Sequence, residues 1–148
     1  MAMQDDSPDQ ERIRRLVQDR AQAVRVKDLA GATAANASDI ATFDVLPPLR
    51  NRGAEGIRER TQRWFDGYPE APGYEIHDLH VVVGSGDAAF AYYVYHVSGT
   101  LATGDEVDMW VRATLGLRKQ DGDWRIVHEH DSVPFDPESG QALIDLRP

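Results

Sequence analysis

The 148-residue sequence contains no cysteine, and its sixteen basic residues are outnumbered by twenty-five acidic ones. Without cysteine, the chain can form no disulfide, thiolate nucleophile, iron–sulfur cluster or cysteine-rich zinc site. The formal net charge of −9 disfavours binding to the phosphate backbone of nucleic acids, which requires a basic surface, and binding to anionic membranes. We therefore expect neither nucleic acids nor membranes among its partners.

Long hydrophobic runs are also missing. The longest, Ala88–Tyr95, has eight residues, whereas a membrane-spanning helix needs about twenty. The acidic N-terminus, Met1–Ser7, lacks the apolar core of a secretory signal. We expect a cytoplasmic protein that forms a single domain over residues 1–148, with its core at about 9–133 and a surface tail at 134–148.

Helical patterns dominate the first half of the chain. Ser7 and Gln10 form a capping-box pattern, and apolar residues then recur at three-to-four spacing as far as Val24. Arg20 lies on this apolar stripe rather than opposite it. The elements predicted in this half are a helix ending near Val24, a short helix from Leu29 to about Asn36, a strand at 40–44 and a helix at 53–65.

From Tyr74 onward the hydrophobic period changes to two, which indicates strands. Glycine- and aspartate-containing turns separate these strands, so consecutive strands should pair antiparallel. The expected fold is α+β, with a curved antiparallel sheet that three N-terminal helices cover on one face. The four strands predicted in this half are 74–83, 88–100, 106–118 and 124–133.

The last predicted hairpin carries most of the polar candidates for a functional site. With its turn centred near Asp121, Thr114 should pair with His128 and Arg112 with His130, all on one sheet face. Since buried polar groups need partners, a face that mixes polar and aromatic side chains suits a pocket wall better than a dry core. Trp110 and Ser132 belong to the same predicted face.

The opposite face of this hairpin should point away from the helices. An exposed apolar row of this length is rare in a monomer, so we expect it to form a homodimer interface. Glu129 and Asp131 share this face and are expected to be solvated or interfacial. The row consists of Met109, Val111, Ala113, Leu115 and Leu117.

Each candidate residue also has a purely structural explanation. Asp44 precedes two prolines and could simply form a turn. Arg20 could extend its charged end to solvent or pair with a carboxylate instead of facing a cavity. His128 and His130 could form a structural pair, contact a ligand as acid or base, or bind a metal, but no third metal ligand is evident. We expect no metal and no cofactor.

Four segments resemble the nuclear-transport-factor-2-like superfamily, specifically its SnoaL-like, ketosteroid-isomerase-like branch. The resemblance covers about residues 9–133 and is carried by Leu46–Gly53, Trp64–Tyr68, Asp108–Thr114 and Trp124–Pro134. It implies a cone of curved sheet and three helices around an apolar cavity, usually dimeric through the outer sheet face.

The resemblance also suggests functional positions. An ungapped match places Asp44 at the catalytic base of the family's isomerases and Arg20 where their oxyanion-binding tyrosine stands. Counting back from Gly122 places Thr114 at their protonated acid. With both oxyanion donors replaced, we do not expect steroid isomerisation.

Two hypotheses for the function follow. The first is a protein that binds a small, largely apolar molecule and acts on it as an isomerase, cyclase or hydrolase. Asp44, His128 and His130 would supply acid/base groups, and Arg20, Trp64, Trp110, Arg112, Thr114 and Ser132 would contact the ligand. The second is a non-catalytic ligand-binding or dimerisation module on the same fold.

Overall fold

Three helices and a six-stranded sheet make up the fold, seen in a computed structural model that describes residues 7–148. Residues 1–6, in which no secretory signal is expected, lie outside the described residues. No helix among residues 7–148 is both long and apolar enough to span a membrane. The elements are α1 (Pro8–Arg25), α2 (Leu29–Thr33), β1 (Asn36–Phe43), β2 (Asn51–Arg52), α3 (Ala54–Asp66), β3 (Gly73–Val83), β4 (Ala88–Thr100), β5 (Glu106–Gln120) and β6 (Asp123–Ser132).

The predicted start of α1 is confirmed. The Ser7 hydroxyl accepts from the Gln10 backbone N–H, and the Gln10 side chain accepts from the Ser7 backbone N–H. These two bonds satisfy donors that the first helical turn leaves unpaired. α2 is shorter than predicted, because β1 already begins at Asn36.

The sheet has the strand order β2-β1-β6-β5-β4-β3. Strands β3 to β6 pair antiparallel as predicted, but β1 pairs parallel with β6. The expectation of an antiparallel sheet is therefore wrong at this one pair. The α+β fold with a curved, unclosed sheet and three helices is confirmed.

The register of the β5–β6 hairpin differs from the prediction by two residues at its open end. Its turn has positive φ at both Asp121 (52°) and Gly122 (84°), as two-residue hairpins of the most common type require. A β-bulge then interrupts the pairing between Gly116 and Leu117. Thr114 therefore pairs with His130 rather than His128, and Arg112 pairs with Ser132 rather than His130.

The bulge also reverses which β6 residues point toward the helices. Before it, Trp124 and Ile126 point inward and are buried; after it, Glu129 and Asp131 take the inward positions. An extra residue in one strand shifts its alternation by one, so the following side chains change faces. In a strand that alternates strictly, Trp124 and Ile126 would lie on one face and Glu129 and Asp131 on the other, so only one of the two pairs could point inward.

The apolar row of β5 lies in the core and not at a dimer interface. Leu115 is fully buried, and Val111, Ala113 and Leu117 are each at most 3% exposed within the single chain. They belong to one hydrophobic cluster with Ile13 and Val17 of α1, against which Met109 also packs. The prediction that this row is an exposed interface is wrong, because the helices cover this face.

Candidate functional site

A cavity of about 440 Å³ lies between the helices and the inner face of the sheet. Its volume falls in the range of small-molecule binding sites. Aliphatic and aromatic side chains from every layer of the fold line it, including Val24, Ile40, Ile57, Trp64, Tyr68, Val97, Met109 and Val111. The cavity is thus largely apolar, and its polar groups stand out individually.

An ion pair crosses the cavity wall from helix to sheet. Arg20 of α1 donates a hydrogen bond to Glu129 of β6, and the two side chains are 20% and 12% exposed. Burial alone would lower the pKa of Arg20 and raise that of Glu129. Their mutual attraction outweighs burial, so the pKa of Arg20 lies above its usual value and that of Glu129 below.

Asp131 lies beside this ion pair, and burial strongly perturbs its pKa. Burial, and next the negative charge of Glu129, raise the pKa of Asp131 well above its usual value. Its Oδ1 atom is buried and accepts no N–H or O–H hydrogen bond from residues 7–148. A proton held on Asp131 and hydrogen-bonded to Glu129 satisfies both carboxyl groups, as in other closely spaced carboxyl pairs.

Three tyrosines complete this polar cluster. Tyr95 donates a hydrogen bond from its hydroxyl to Asp131 Oδ2 over 3.1 Å, and Tyr74 stacks on Tyr95 with ring centroids 4.8 Å apart. Burial raises the pKa of Tyr74, Tyr93 and Tyr95, so all three stay protonated. The cluster therefore holds one ion pair, three uncharged tyrosines and an aspartate whose raised pKa favours the protonated form.

Asp44 reaches the same cavity from the residue after β1. Its Oδ2 accepts from Arg60 Nε at 3.2 Å, and its Oδ1 accepts from the Leu46 backbone N–H at 3.3 Å. Arg60 also donates to the Pro47 carbonyl at 2.9 Å. These bonds orient the carboxylate at the cavity wall, and its negative charge contributes to raising the pKa of Asp131.

Only part of the predicted site faces this cavity. Arg20, Asp44 and Trp64 line it. The predicted cavity position of the remaining candidates is wrong, although they share one sheet face as expected. Those remaining candidates are Trp110, Arg112, Thr114, His128, His130 and Ser132.

These six residues lie on the face of the sheet that points away from the helices, here called the outer face. His128 and His130 there contact the exposed ring of Phe43, with centroids 4.9 and 5.4 Å away. His128 Nδ1 also lies 2.8 Å from the Ala41 carbonyl oxygen. Arg112 donates from Nε to the Ser132 hydroxyl at 3.1 Å. Thr114 therefore cannot supply the oxyanion donor that the family comparison suggested.

Glu129 and Asp131 are the functional candidates that the sequence prediction placed on the wrong face. Their sequence signal is two carboxylates at alternate positions of a strand otherwise rich in core residues. Arg20 on an apolar helix stripe is the matching signal, since a buried arginine requires a buried acid. Among residues 7–148, no cluster of three or more metal-binding side chains occurs.

Comparisons with known proteins agree with this fold. A family model described as a SnoaL-like domain matches residues 13–136. An NTF2-like protein of unknown function from Pseudomonas putida KT2440 is 33% identical, with a TM-score of 0.84 over 93% of this chain and 95% of that one. A search of curated proteins found no match.

More distant solved structures share the fold alone. A ketosteroid isomerase-like protein from Erwinia carotovora atroseptica SCRI1043 is 21% identical, with a TM-score of 0.73 over 85% of this chain and 96% of that one. The association domain of C. elegans CaMKII is also 21% identical, with a TM-score of 0.67 over 86% and 97% of the respective chains.

Proposed function

The chain belongs to the SnoaL-like domain family, and we propose that it binds a small, largely apolar molecule in its cavity and acts on it by acid/base chemistry. The main observation that supports this proposal is that two carboxyl groups in contrasting environments line one apolar cavity. Asp131 is buried with a raised pKa, whereas Asp44 is salt-bridged to Arg60. Such pairs divide acid and base roles.

In this proposal Asp131 is the proton donor. Burial and the charge of Glu129 raise the pKa of its carboxyl group, which favours the protonated form, and a hydrogen bond from a buried donor to a substrate oxygen is stronger than in water. Glu129 and Tyr95 hold the carboxyl group in place. They act as positioning residues rather than as reacting groups.

Asp44 is the proposed proton acceptor. Its hydrogen bonds from Arg60 and the Leu46 backbone fix its orientation while it lines the cavity. A positioned carboxylate can remove a proton from a substrate carbon while the donor polarises an adjacent oxygen. Isomerases, cyclases and some hydrolases use this combination, and His128 and His130 have no part in it.

Binding can be tested without knowing the natural ligand. The neutral fluorescent probe N-phenyl-1-naphthylamine should bind, and Met109→Trp should weaken its binding at least ten-fold by filling the cavity. The matched control is Leu49→Trp, since Leu49 is 92% exposed and outside the cavity lining. Equal binding by both variants and the unmodified protein would contradict the cavity as the binding site.

Proton transfer can be tested separately with enolisable aromatic ketones in D₂O. Deuterium incorporation, followed by NMR, reports proton removal even when no product accumulates. We expect Asp44→Asn to slow exchange by about 100-fold or more, with the control Asp39→Asn unchanged. Absence of exchange with the unmodified protein, despite probe binding, would favour the non-catalytic binding module.

The outer face supports a second proposal, that two copies of the chain associate there. Val82, Phe90 and Tyr92 are 42–45% exposed in the single chain, and they lie on the outer face, away from the three helices. Exposed aromatic and aliphatic groups on adjacent strands are typical of interaction surfaces. The interface row thus differs from the predicted one, while a homodimer remains the proposed assembly.

A further inference from the structure

The charged groups around the cavity are not evenly matched. Three arginines line it, and two of them have acidic partners: Arg20 pairs with Glu129, and Arg60 pairs with Asp44. The third, Arg63 of α3, has no acidic group within salt-bridge distance among residues 7–148. Its side chain is exposed at the cavity rim.

Among residues 7–148, the lining contains one further acid, Asp131, and it does not pair with Arg63. Asp131 is buried beside Glu129 and accepts a hydrogen bond from Tyr95, and burial raises its pKa. Among the described lining residues, Arg63 is therefore the guanidinium without an acidic partner, in a chain whose net charge is −9. Arg63 lies at the rim, whereas the apolar residues and the cluster of Glu129, Asp131 and the tyrosines lie inside.

We propose that the ligand is a small apolar monoanion, bound with its apolar body in the cavity and its anionic group against Arg63. This inference rests on the proposed function, because it assigns the class and orientation of the molecule that the cavity takes. A negative group deeper in the cavity would lie beside Glu129 and would meet no unpaired cation, because Arg20 already pairs with Glu129. At the rim, the anion instead meets an unpaired guanidinium, which hydrogen-bonds anionic oxygens in a planar fork.

Arg63 also has a purely structural explanation. It lies in the last turn of α3, where a positive charge interacts favourably with the helix dipole. That role affects the stability of the protein and is indifferent to the charge of a ligand. Selectivity between matched ligands therefore separates the two explanations.

Two fluorescent probes supply the matched ligands. 1-Anilinonaphthalene-8-sulfonate is an apolar monoanion, and N-phenyl-1-naphthylamine is the same molecule without the sulfonate. We expect the unmodified protein to bind the sulfonate more tightly. Arg63→Gln should weaken sulfonate binding about five-fold, the upper end of the range for an exposed ion pair, and leave the affinity for the neutral probe within about two-fold. Arg63→Lys should retain part of the preference, and added salt should reduce it.

Arg58→Gln is the control for charge loss on the same helix. Arg58 is exposed, bonds to Thr33 and does not line the cavity, so this variant should bind both probes as the unmodified protein does. Met109→Trp should weaken both probes, which shows that they occupy the cavity. Melting temperatures of all variants detect any loss of folding.

The outcomes distinguish the two proposals. If neither probe binds the unmodified protein, or if Met109→Trp affects neither, the proposed binding function fails. If both probes bind in the cavity but Arg63→Gln weakens them equally or not at all, the monoanion inference is overturned and cavity binding stands. Equal effects of Arg58→Gln and Arg63→Gln on the sulfonate would also overturn it, because they indicate a general charge effect.

Discussion

Removing the arginine of the buried ion pair should destabilise the protein strongly. In Arg20→Met, a side chain of similar volume keeps the apolar contacts of α1 but leaves Glu129 without its cation. Both partners are mostly buried, so solvent cannot replace the lost interaction. Breaking a buried pair by removing one partner costs about 3–5 kcal/mol, which lowers the melting temperature of a chain this long by about 6–20 °C.

The effect of Arg20→Met on stability should depend on pH. Arg20 holds the pKa of Glu129 below its usual value, so the pair contributes stability above the unfolded pKa and loses it as pH falls through the folded one. Without Arg20, burial raises the pKa of Glu129, and the variant loses stability as pH rises. The difference between the two proteins should therefore be larger at pH 7.5 than at pH 5.

Urea unfolding at these two pH values measures the effect. The matched control is Arg15→Met on the exposed side of α1, which should change the free energy of unfolding by less than about 0.5 kcal/mol. Adding Glu129→Gln to Arg20→Met should recover at least half of the loss, because no buried charge then lacks a partner. A loss below about 1 kcal/mol, or an equal loss at both pH values, would refute the assignment of a buried ion pair.

Three further predictions concern the cavity acid, the outer face and the core. Because the pKa of Asp131 is raised, the unmodified protein should lose stability as pH rises from about 4 through the folded pKa, by about 1.4 kcal/mol per unit of pKa difference. In urea unfolding, Asp131→Asn should not show this dependence of stability on pH. The same dependence in both proteins would contradict a protonated Asp131. The proposed dimer should bury at least about 1,200 Å², and light scattering at micromolar concentration should detect it. Tyr92→Glu should dissociate the dimer, whereas Leu49→Glu should not. A mass near 16.5 kDa for the unmodified protein would exclude the dimer. Leu115→Ala should cost about 2–5 kcal/mol in urea unfolding, whereas a negligible cost would mean that this row is not in the core.

Local sequence patterns determined the elements of this fold well. Helix periodicity and the Ser7–Gln10 capping box identified α1, because both depend only on neighbouring residues. Period-two patterns separated by turn residues identified β3 to β6 in the same way. The family motifs indicated how these elements assemble, and the SnoaL-like family model confirmed that resemblance.

The sequence also determined which residues of β5 share a face, but it did not determine which face points inward. Alternation produces two faces, and their polarity favours the wrong one, because the polar side chains of Arg112, Thr114, His128 and His130 are typical of a pocket wall. The parallel pairing of β1 with β6 likewise joins residues that are 87–90 positions apart in sequence, beyond the reach of any local pattern.

Tertiary structure decided the inward face through two nonlocal features. The bulge near Gly116 shifts the alternation of β6, so that Trp124 and Ile126 point inward before it and Glu129 and Asp131 after it. Arg20, 109 residues away from Glu129 in sequence, then makes their burial tolerable. From the strand sequence alone, two carboxyl groups are expected to be solvent-exposed. Their burial follows only from the helix that supplies the cation, because burying a charge without a partner is too costly.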